Sequence, residues 1–220
     1  MGRFGRFKLP ELTPSERTTF AHLPQDPNAG ARARSRRFSQ YRVRHAGHWQ
    51  LERLAHRPFV QSKDHNKLVG GVLREFEPLA LDPTALVAAA ADAAGLATKL
   101  TWQSNVHQIR VTVTAGDTAK IVPEGMHQDG HEIAALLVIG REHVDDGVTR
   151  LVVKPGEAPV FEGILQAGTG IVFDDTAFFH DTSPISVSTG NAHRDMFIIV
   201  FNRWDNARYG PEHEQHSTAS

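Results

Sequence analysis

The chain has 220 residues, of which 40% are hydrophobic, and its formal net charge is −1 at pH 7. This length suits one globular domain, and the absence of cysteine excludes disulfides, thiolate catalysis, zinc–thiolate sites and iron–sulfur clusters. Any metal must therefore be held by His, Asp or Glu. No run approaches the roughly 18 apolar residues of a spanning helix, and residues 1–10 lack the apolar stretch of a secretory signal. We therefore expect a cytoplasmic protein without a membrane segment.

The charge is unevenly distributed along the chain. Residues 1–60 carry 12 Lys+Arg against 4 Asp+Glu, whereas the remainder carries 12 against 21. Such asymmetry can mark a nucleic-acid arm. The arginines of "ARARSRRFSQYRVRH" (31–45), however, alternate with apolar residues from Phe38 onward, as on a half-exposed strand. We therefore favour a solvated face or ion pairs with the acidic remainder.

Two helices are predicted in the first hundred residues. The capping box "TPSE" (13–16) indicates a short helix that runs to about Leu23. A second cap at Asp82, with proline at the next position, opens the alanine-rich stretch "TALVAAAADAAGLATKL", whose helix should end near Gly95.

From residue 100 the sequence pattern changes to short runs of β-forming residues bounded by Gly, Pro and Asp. Such runs indicate a β-sandwich or β-barrel. These runs are "VHQIRVTVTA", "EIAALLVIG", "GVTRLVVK", "GTGIVF", "TAFFH" and "RDMFIIVFNRW". We therefore predict one mainly β domain with flanking helices. Within it, residues 1–99 form a helical and strand support region, residues 100–204 the β core, and residues 205–220 a polar, loosely ordered tail.

The stretch "PEGMHQDGHE" (123–132) contains a candidate metal site. Alternate residues of an extended segment share a face, so His127 and Asp129 can offer a metal two adjacent ligands. The best third ligand is His180, on another β-type run. Two histidines and one carboxylate leave about half an octahedron open, as in non-haem Fe(II) sites that also bind a cosubstrate and O₂, whereas a structural metal would be closed by four ligands.

A competing metal interpretation takes "HQDGH" as the helical HxxxH motif of zinc hydrolases. That motif needs glutamate directly after the first histidine as the general base, and this chain has Gln128 there. Gly130 and Pro123 also disfavour a helix.

The run "NAHRDMFIIVFN" (191–202) contains a candidate anion anchor. Strand alternation places Arg194 on the same face as Met196 and Ile198, so its guanidinium points toward an apolar interior. A buried arginine is costly unless an acceptor pairs with it, and its fork suits bidentate capture of a carboxylate. A small dicarboxylate such as 2-oxoglutarate would satisfy it; an internal Asp or Glu is the alternative partner.

Five blocks of the sequence together resemble those of a known family: "VHQIR" (106–110), "PEGMHQDG" (123–130), "REHVDDGVT" (141–149), "FDDTAFFHDTSPI" (173–185) and "RDMFIIVF" (194–201). The chain is similar here to 2-oxoglutarate/Fe(II)-dependent dioxygenases of the group of L-isoleucine 4-hydroxylase and related free-amino-acid hydroxylases. The match spans roughly residues 100 to 204. One departure is the turn "VDDG" (144–147), where the family is expected to have a glycine pair.

The resemblance implies a double-stranded β-helix, the cupin-like jelly roll, with His127, Asp129 and His180 as iron ligands and Arg194 as the 2-oxoglutarate anchor. It further implies Fe(II), 2-oxoglutarate and O₂ as cofactor and cosubstrates, and hydroxylation of an sp³ carbon of a free amino acid. Desaturation and cyclisation are known outcomes within the same fold.

An amino-acid substrate needs partners for both of its charged groups. Arg110, which shares a strand face with Gln108, is the candidate for the carboxylate, with a structural salt bridge as its alternative. Glu124 is the candidate for the ammonium group. Asp174 and Asp175 precede the strand that carries His180, and either orients a ligand histidine or serves a turn.

Three classes of function follow from these observations. The first is an oxygenase that acts on a small molecule, as a monomer or a homodimer. The second is an oxygenase of the same chemistry acting on nucleic acid or protein, which only the basic first 60 residues favour. The third is a non-catalytic β-barrel binding module in which the histidines are incidental.

Overall fold

The computed structural model describes residues 2–29, 34–67, 70–121 and 124–219. The helices in these residues are α1 (Pro14–Thr18, continued by a 3₁₀ turn, Thr19–His22), α2 (Thr84–Ala94) and α3 (Pro211–Ala219). The strands are β1 (Phe4–Lys8), β2 (Arg34–His45), β3 (Trp49–Arg53), β4 (Trp102–Thr114), β5 (Thr118–Ala119), β6 (Ile133–Glu142), β7 (Asp145–Asp146), β8 (Val148–Val152), β9 (Phe161–Ile164), β10 (Thr169–Asp174), β11 (Phe179–Thr182), β12 (Ile185–Ser186) and β13 (Asn191–Arg203). Each helix in the described residues is too short or too polar to cross a bilayer.

Both predicted helices are confirmed, and so is the capping box of α1, but the N-cap of α2 is Pro83 and not the predicted Asp82. The Glu16 N–H donates to Thr13 Oγ1 (3.3 Å), and the Thr13 N–H donates to Glu16 Oε2 (2.7 Å). These reciprocal bonds satisfy two backbone donors at the start of α1. The backbone N–H of Thr84, at the start of α2, donates to the Asp82 carboxylate (3.0 Å). Gly95 ends α2 in the left-handed conformation, with φ of 63°.

Seven strands form one antiparallel sheet in the order β1-β10-β6-β13-β4-β2-β3. The apolar runs predicted as strands occupy its centre, including "EIAALLVIG", which forms β6. Strands β1, β2 and β3 come from the first 99 residues, so the N-terminal region completes the large sheet. In the register, Arg194 of β13 lies between Val111 of β4 and Arg141 of β6.

Two small sheets, β11-β8-β9 and β5-β12-β7, cover the inner face of the large sheet. One buried cluster joins Ile109, Leu136 and Met196 of the large sheet to Leu151 and Ile185 of the small sheets. The fold is therefore the predicted double-stranded β-helix, with its core between the two walls.

Helix α2 packs against the outer face of the large sheet. Its Val87 and Ala90 are fully buried in a second cluster with Phe197 and Phe201 of β13. Because α2 lies on the outer face, it does not occupy the space between the large sheet and the small sheets.

The C-terminal segment differs from the loosely ordered tail that its polarity predicts, because residues 211–219 form α3. Its Glu214 accepts a hydrogen bond from Arg57 Nε (2.6 Å), and Ser217 is buried. A contact with a distant part of the chain therefore stabilises a helix whose sequence has no apolar face.

Many arginines of the basic first quarter are used in ion pairs. The pairs are Arg34 with Asp26 (2.8 Å), Arg37 with Glu77 (2.7 Å), Arg42 with Glu52 (3.0 Å) and Arg57 with Glu214. Glu77 and Glu214 belong to the acidic remainder, as predicted, whereas Asp26 and Glu52 lie within the basic quarter itself.

Candidate metal centre

The two candidate histidines are held opposite each other by main-chain hydrogen bonds. His180 lies on β11, and His127 pairs with it in an isolated antiparallel bridge. The His127 N–H donates to the His180 carbonyl (3.0 Å), and the His180 N–H donates back to the His127 carbonyl (2.8 Å). Their ring centroids are 4.3 Å apart. The segment that carries His127 has no regular secondary structure, but these two hydrogen bonds fix it against β11. Both imidazole rings therefore face the same candidate metal position.

The Asp129 carboxylate is the third candidate ligand at this position. His127 Nε2 is 3.4 Å from Asp129 Oδ1, and His180 Nε2 is 3.6 Å from Asp129 Oδ2. One ligand atom from each of the three residues lies within 4.8 Å of the others. Atoms bound side by side to one metal at about 2.1 Å lie roughly 3 Å apart, so a small closure would bring all three into coordination.

Unused hydrogen-bonding capacity supports a metal at this point. Asp129 Oδ2 is buried and has no hydrogen-bond partner among the described residues. His127 Nδ1 donates to the Gly125 carbonyl (2.9 Å), which leaves Nε2 as the coordinating atom. A buried carboxylate oxygen without a partner is costly, and a divalent cation would satisfy it. The donor set of two nitrogens and one oxygen fits Fe(II) and leaves half of an octahedron open.

The competing HxxxH interpretation does not fit the structure. Gly130 has φ of 82°, so the segment between the two histidines is a turn and not a helix. His131 Nδ1 accepts a hydrogen bond from Asn202 Nδ2 (2.8 Å), and burial lowers the pKa of His131 to about 4. His131 is thus a neutral buried histidine outside the cluster of ligand atoms.

Asp175 holds the ligand loop in place. Its buried carboxylate accepts hydrogen bonds from the backbone N–H groups of Asp129 (3.0 Å), Gly130 (2.8 Å) and His131 (2.9 Å). Its Oδ1 also lies 3.8 Å from His180 Nδ1, the nitrogen that faces away from Asp129. Burial and the charge of Asp129 raise the pKa of Asp175 to about 7. This carboxylate therefore holds the loop that carries Asp129 by hydrogen bonds and lies near His180 without a hydrogen bond to it; of the two candidates Asp174 and Asp175, it is Asp175 that takes this position.

Replacing Asp175 with asparagine should weaken metal affinity roughly 10- to 100-fold, the usual cost of losing a partner that orients ligands. The amide offers a single acceptor oxygen where three backbone donors converge. Anaerobic calorimetry with Mn(II) measures the change. The control is Asp174→Asn at the neighbouring, less buried carboxylate, which should keep wild-type affinity. Equal affinities for the two variants would show that Asp175 does not position the loop.

Metal affinity should rise about tenfold per pH unit from pH 6 to about pH 9. Burial lowers the pKa of His127, but the hydrogen bond and charge of Asp129 raise it more, to about 9. Below that pH the imidazole carries a proton that a metal must displace, and above it no proton is released. The buffer dependence of the Mn(II) binding enthalpy should therefore show about one proton released at pH 7. A pH-independent affinity across this range would contradict the assignment of His127.

Arg194 lies fully buried on β13, on the face that also carries Met196 and Ile198. Its Nε, Nη1 and Nη2 have no hydrogen-bond partner among the described residues. Arg141, its cross-strand neighbour, also has a buried Nη1 without a partner. Burial and the charge of Arg141 lower the pKa of Arg194 to about 9. The fully buried Arg194, with the free Nη1 of the half-buried Arg141 on the neighbouring strand, offers donors for a carboxylate or similar anion.

A cavity of about 850 Å³ opens beside the metal centre and has apolar and charged walls. All three ligand residues line it, and so do Met196 and Ile198 of β13, whereas Arg194 and Arg141 are not among the lining residues. A cavity of this size can hold a small cosubstrate together with a small substrate.

The structure brings Glu124 to this cavity but not Arg110. Glu124 lines the wall and accepts a hydrogen bond from Asn66 Nδ2 (3.1 Å). Arg110 forms two hydrogen bonds with Asp195 (2.6 and 2.7 Å). Its neighbour Ile109 lines the cavity, whereas Arg110 is not among the lining residues. Arg110 is thus the structural salt bridge that the sequence offered as its alternative role.

Three arginines that line the cavity, Arg34, Arg36 and Arg74, were not predicted as site residues, and of these Arg34 pairs with Asp26. Arg36 lies in the basic run of β2, where its inward direction can be read only once the register is known. Arg74 belongs to a segment without regular secondary structure, so no periodicity indicates which way it faces.

The chain matches a known family model and is similar to solved structures. A family model described as 2OG-Fe dioxygenase matches residues 17–200. The chain is similar to the crystal structure of a bsmA homologue from Methylobium petroleophilum PM1, with a TM-score of 0.74 and 27% identity over 86% of this chain and 79% of that one. No curated protein matches the chain.

Two further solved structures share the fold. IDO from Bacillus thuringiensis has a TM-score of 0.66 and 18% identity over 86% of this chain and 82% of that one. The Fe(II)/(alpha)ketoglutarate-dependent dioxygenase TqaL has a TM-score of 0.59 and 17% identity over 87% of this chain and 76% of that one.

Proposed function

The chain belongs to the 2OG-Fe dioxygenase family, and on that premise we propose that it oxidises an sp³ carbon of a free amino acid, most simply by hydroxylation. The family uses Fe(II), 2-oxoglutarate and O₂, so the chain is an enzyme and not a passive binding module. The convergence of His127, Asp129 and His180 beside a cavity carries the proposal.

His127, Asp129 and His180 would hold the iron. When bound, Fe(II) with 2-oxoglutarate supplies activation of O₂ for C–H oxidation, with succinate and CO₂ as by-products. The three side chains leave one side of the site open toward the cavity, where cosubstrate and substrate have to bind. The contribution of the protein is to hold both reactants in position and to keep water out.

Arg194 would bind the distal carboxylate of 2-oxoglutarate. Its three unpartnered nitrogens and the neighbouring Arg141 supply the donors that such a carboxylate requires. Met196 and Ile198, which follow Arg194 along β13, line the cavity with apolar side chains that suit the methylene groups of the cosubstrate.

Glu124 would bind the ammonium group of the substrate. Its carboxylate lies on the cavity wall, and its charge contributes to the raised pKa of His127. The resemblance of the sequence blocks to L-isoleucine 4-hydroxylase and its relatives supports a free amino acid as the substrate class.

The test is to load the protein anaerobically with Fe(II), 2-oxoglutarate and pools of amino acids, and then admit O₂. Succinate should form faster with one pool than without substrate, and mass detection should find a product that has gained one oxygen atom. Absence of succinate under all conditions would refute the oxygenase assignment. Succinate without any oxidised amino acid would refute the substrate class alone.

A further inference from the structure

We propose that Arg36 and Arg74 form a second anion subsite in the cavity, which binds the α-carboxylate of the substrate and is separate from Arg194. This inference rests on the proposed function. It identifies the residues that bind the substrate carboxylate, since Arg110 is paired with Asp195.

Both guanidinium groups are buried yet belong to the cavity wall. Arg36 is 7% exposed and Arg74 is 4% exposed, and both line the same cavity as His127, Asp129 and His180. Neither lies within 4.0 Å of a carboxylate oxygen among the described residues, whereas their neighbour Arg34 pairs with Asp26 at 2.8 Å. Two buried cations that no carboxylate contacts directly therefore face the space where the substrate has to bind.

Neutral groups hold Arg36 in position. Its Nε and Nη2 donate to Nδ1 of His107 (3.2 and 2.7 Å). The His107 ring stacks on Phe38, with centroids 4.5 Å apart, and Arg36 lies over the Phe76 ring at 4.8 Å. His107 is neutral because burial and the charge of Arg36 hold its pKa well below the usual value. Arg36 is thus fixed by an acceptor that carries no charge.

Arg74 is fixed in the same way. Its Nη2 donates to Gln61 Oε1 (2.7 Å), and its guanidinium lies over the Phe59 ring at 4.7 Å. Its buried Nε has no hydrogen-bond partner among the described residues. An amide and an aromatic ring orient this cation without neutralising it, and one donor remains open.

The local electrostatics favour an anion between these two groups. Burial, followed by the charges of Arg34 and Arg74, lowers the pKa of Arg36, and burial followed by the charge of Arg34 lowers the pKa of Arg74 to about 10. Arginine side chains in proteins stay protonated at neutral pH, and the charge of Arg74 disfavours that of Arg36. A carboxylate bound to both would relieve that repulsion and satisfy the open donor.

The position of Glu124 indicates why the anion should belong to an amino acid. Its carboxylate is close enough to Arg74 to raise the pKa of that arginine. The cavity therefore presents positive and negative groups near each other, which complement the carboxylate and ammonium groups of a zwitterion. Arg194, buried on β13, remains available to 2-oxoglutarate.

The test measures how the variants Arg36→Gln and Arg74→Gln respond to substrate and cosubstrate. The probes are a pool of the twenty proteinogenic L-amino acids and a matched pool of the corresponding amino-acid amides.

Each variant should need roughly 10- to 100-fold more of the acid pool for half-maximal stimulation of succinate formation. The Kd of 2-oxoglutarate, measured anaerobically with Mn(II), should stay at the wild-type value. The amide pool should not stimulate the wild-type protein.

Arg37→Gln is the matched control, because Arg37 is the next residue of β2 and pairs with Glu77. Its response to the acid pool should be that of the wild type. Thermal unfolding checks the fold, and Arg36→Lys and Arg74→Lys, which keep the charge, should show a smaller shift than the glutamine variants.

Three results would overturn the subsite. They are an unchanged response to the acid pool in folded glutamine variants, a weakened affinity for 2-oxoglutarate in those variants, and a wild-type protein that neither pool stimulates although it turns over 2-oxoglutarate. If the wild-type protein neither binds 2-oxoglutarate nor forms succinate, the proposed function itself fails.

Discussion

Replacing Arg194 with methionine should raise the 2-oxoglutarate concentration for half-maximal succinate formation by roughly 100-fold, equivalent to about 3 kcal/mol of binding free energy. Arg194 has three buried nitrogens without a partner among the described residues, and methionine keeps much of the apolar stem while removing every donor. Steady-state kinetics with varied 2-oxoglutarate measure this change.

The same substitution should leave the ligand-free protein at least as stable as the wild type. A buried cation without a partner destabilises the fold, and an apolar replacement of similar volume removes that penalty. Thermal unfolding should show stabilisation by 2-oxoglutarate for the wild type and for the control Arg44→Met, but not for Arg194→Met. An Arg194→Met variant with wild-type affinity for 2-oxoglutarate would show that the anchor lies elsewhere.

Substituting His180 or Asp129 by alanine should reduce succinate formation by at least roughly 1,000-fold, because the metal loses one of three protein ligands and its position beside the substrate. Equilibrium dialysis with Fe(II) under anaerobic conditions should show weakened binding in each variant.

His48→Ala is the control for these variants, because His48 is exposed and lies on the turn between β2 and β3. It should keep full activity and metal content. If the His180 and Asp129 variants remained folded and retained wild-type turnover, the metal would have to be bound by another set of residues.

The β core could be predicted from the sequence because its strands have apolar side chains and clear turn signals. The runs that became β4, β6, β8, β10, β11 and β13 were all identified in this way. The edge strands β1, β3 and β9 were not, since their half-exposed residues lack a continuous apolar run.

The metal cluster could be predicted because its residue types and spacing follow from coordination chemistry. His127 and Asp129 are separated by one residue, and the third ligand needs only a second β-type segment. Arg110 shows the limit of this reasoning. Period-two alternation states which residues share a face, but only the position of Ile109 in the cavity reveals which face is inward.

The remaining parts of the site depend on tertiary contacts that leave no local pattern. Arg74 reaches the cavity from an irregular segment that pairs with Phe59 through main-chain hydrogen bonds. The polar sequence of residues 211–219 does not predict a helix. Helix α3 forms there because Glu214 pairs with Arg57. In both cases the determining partner is distant in sequence.

The most direct test of the account is anomalous diffraction from crystals grown with Mn(II) in place of Fe(II). The account predicts one strong peak per chain within about 2.3 Å of His127 Nε2, His180 Nε2 and an Asp129 carboxylate oxygen, with the remaining positions open toward the cavity. A peak coordinated by other side chains, or no peak at a manganese concentration that saturates the protein in solution, would contradict it.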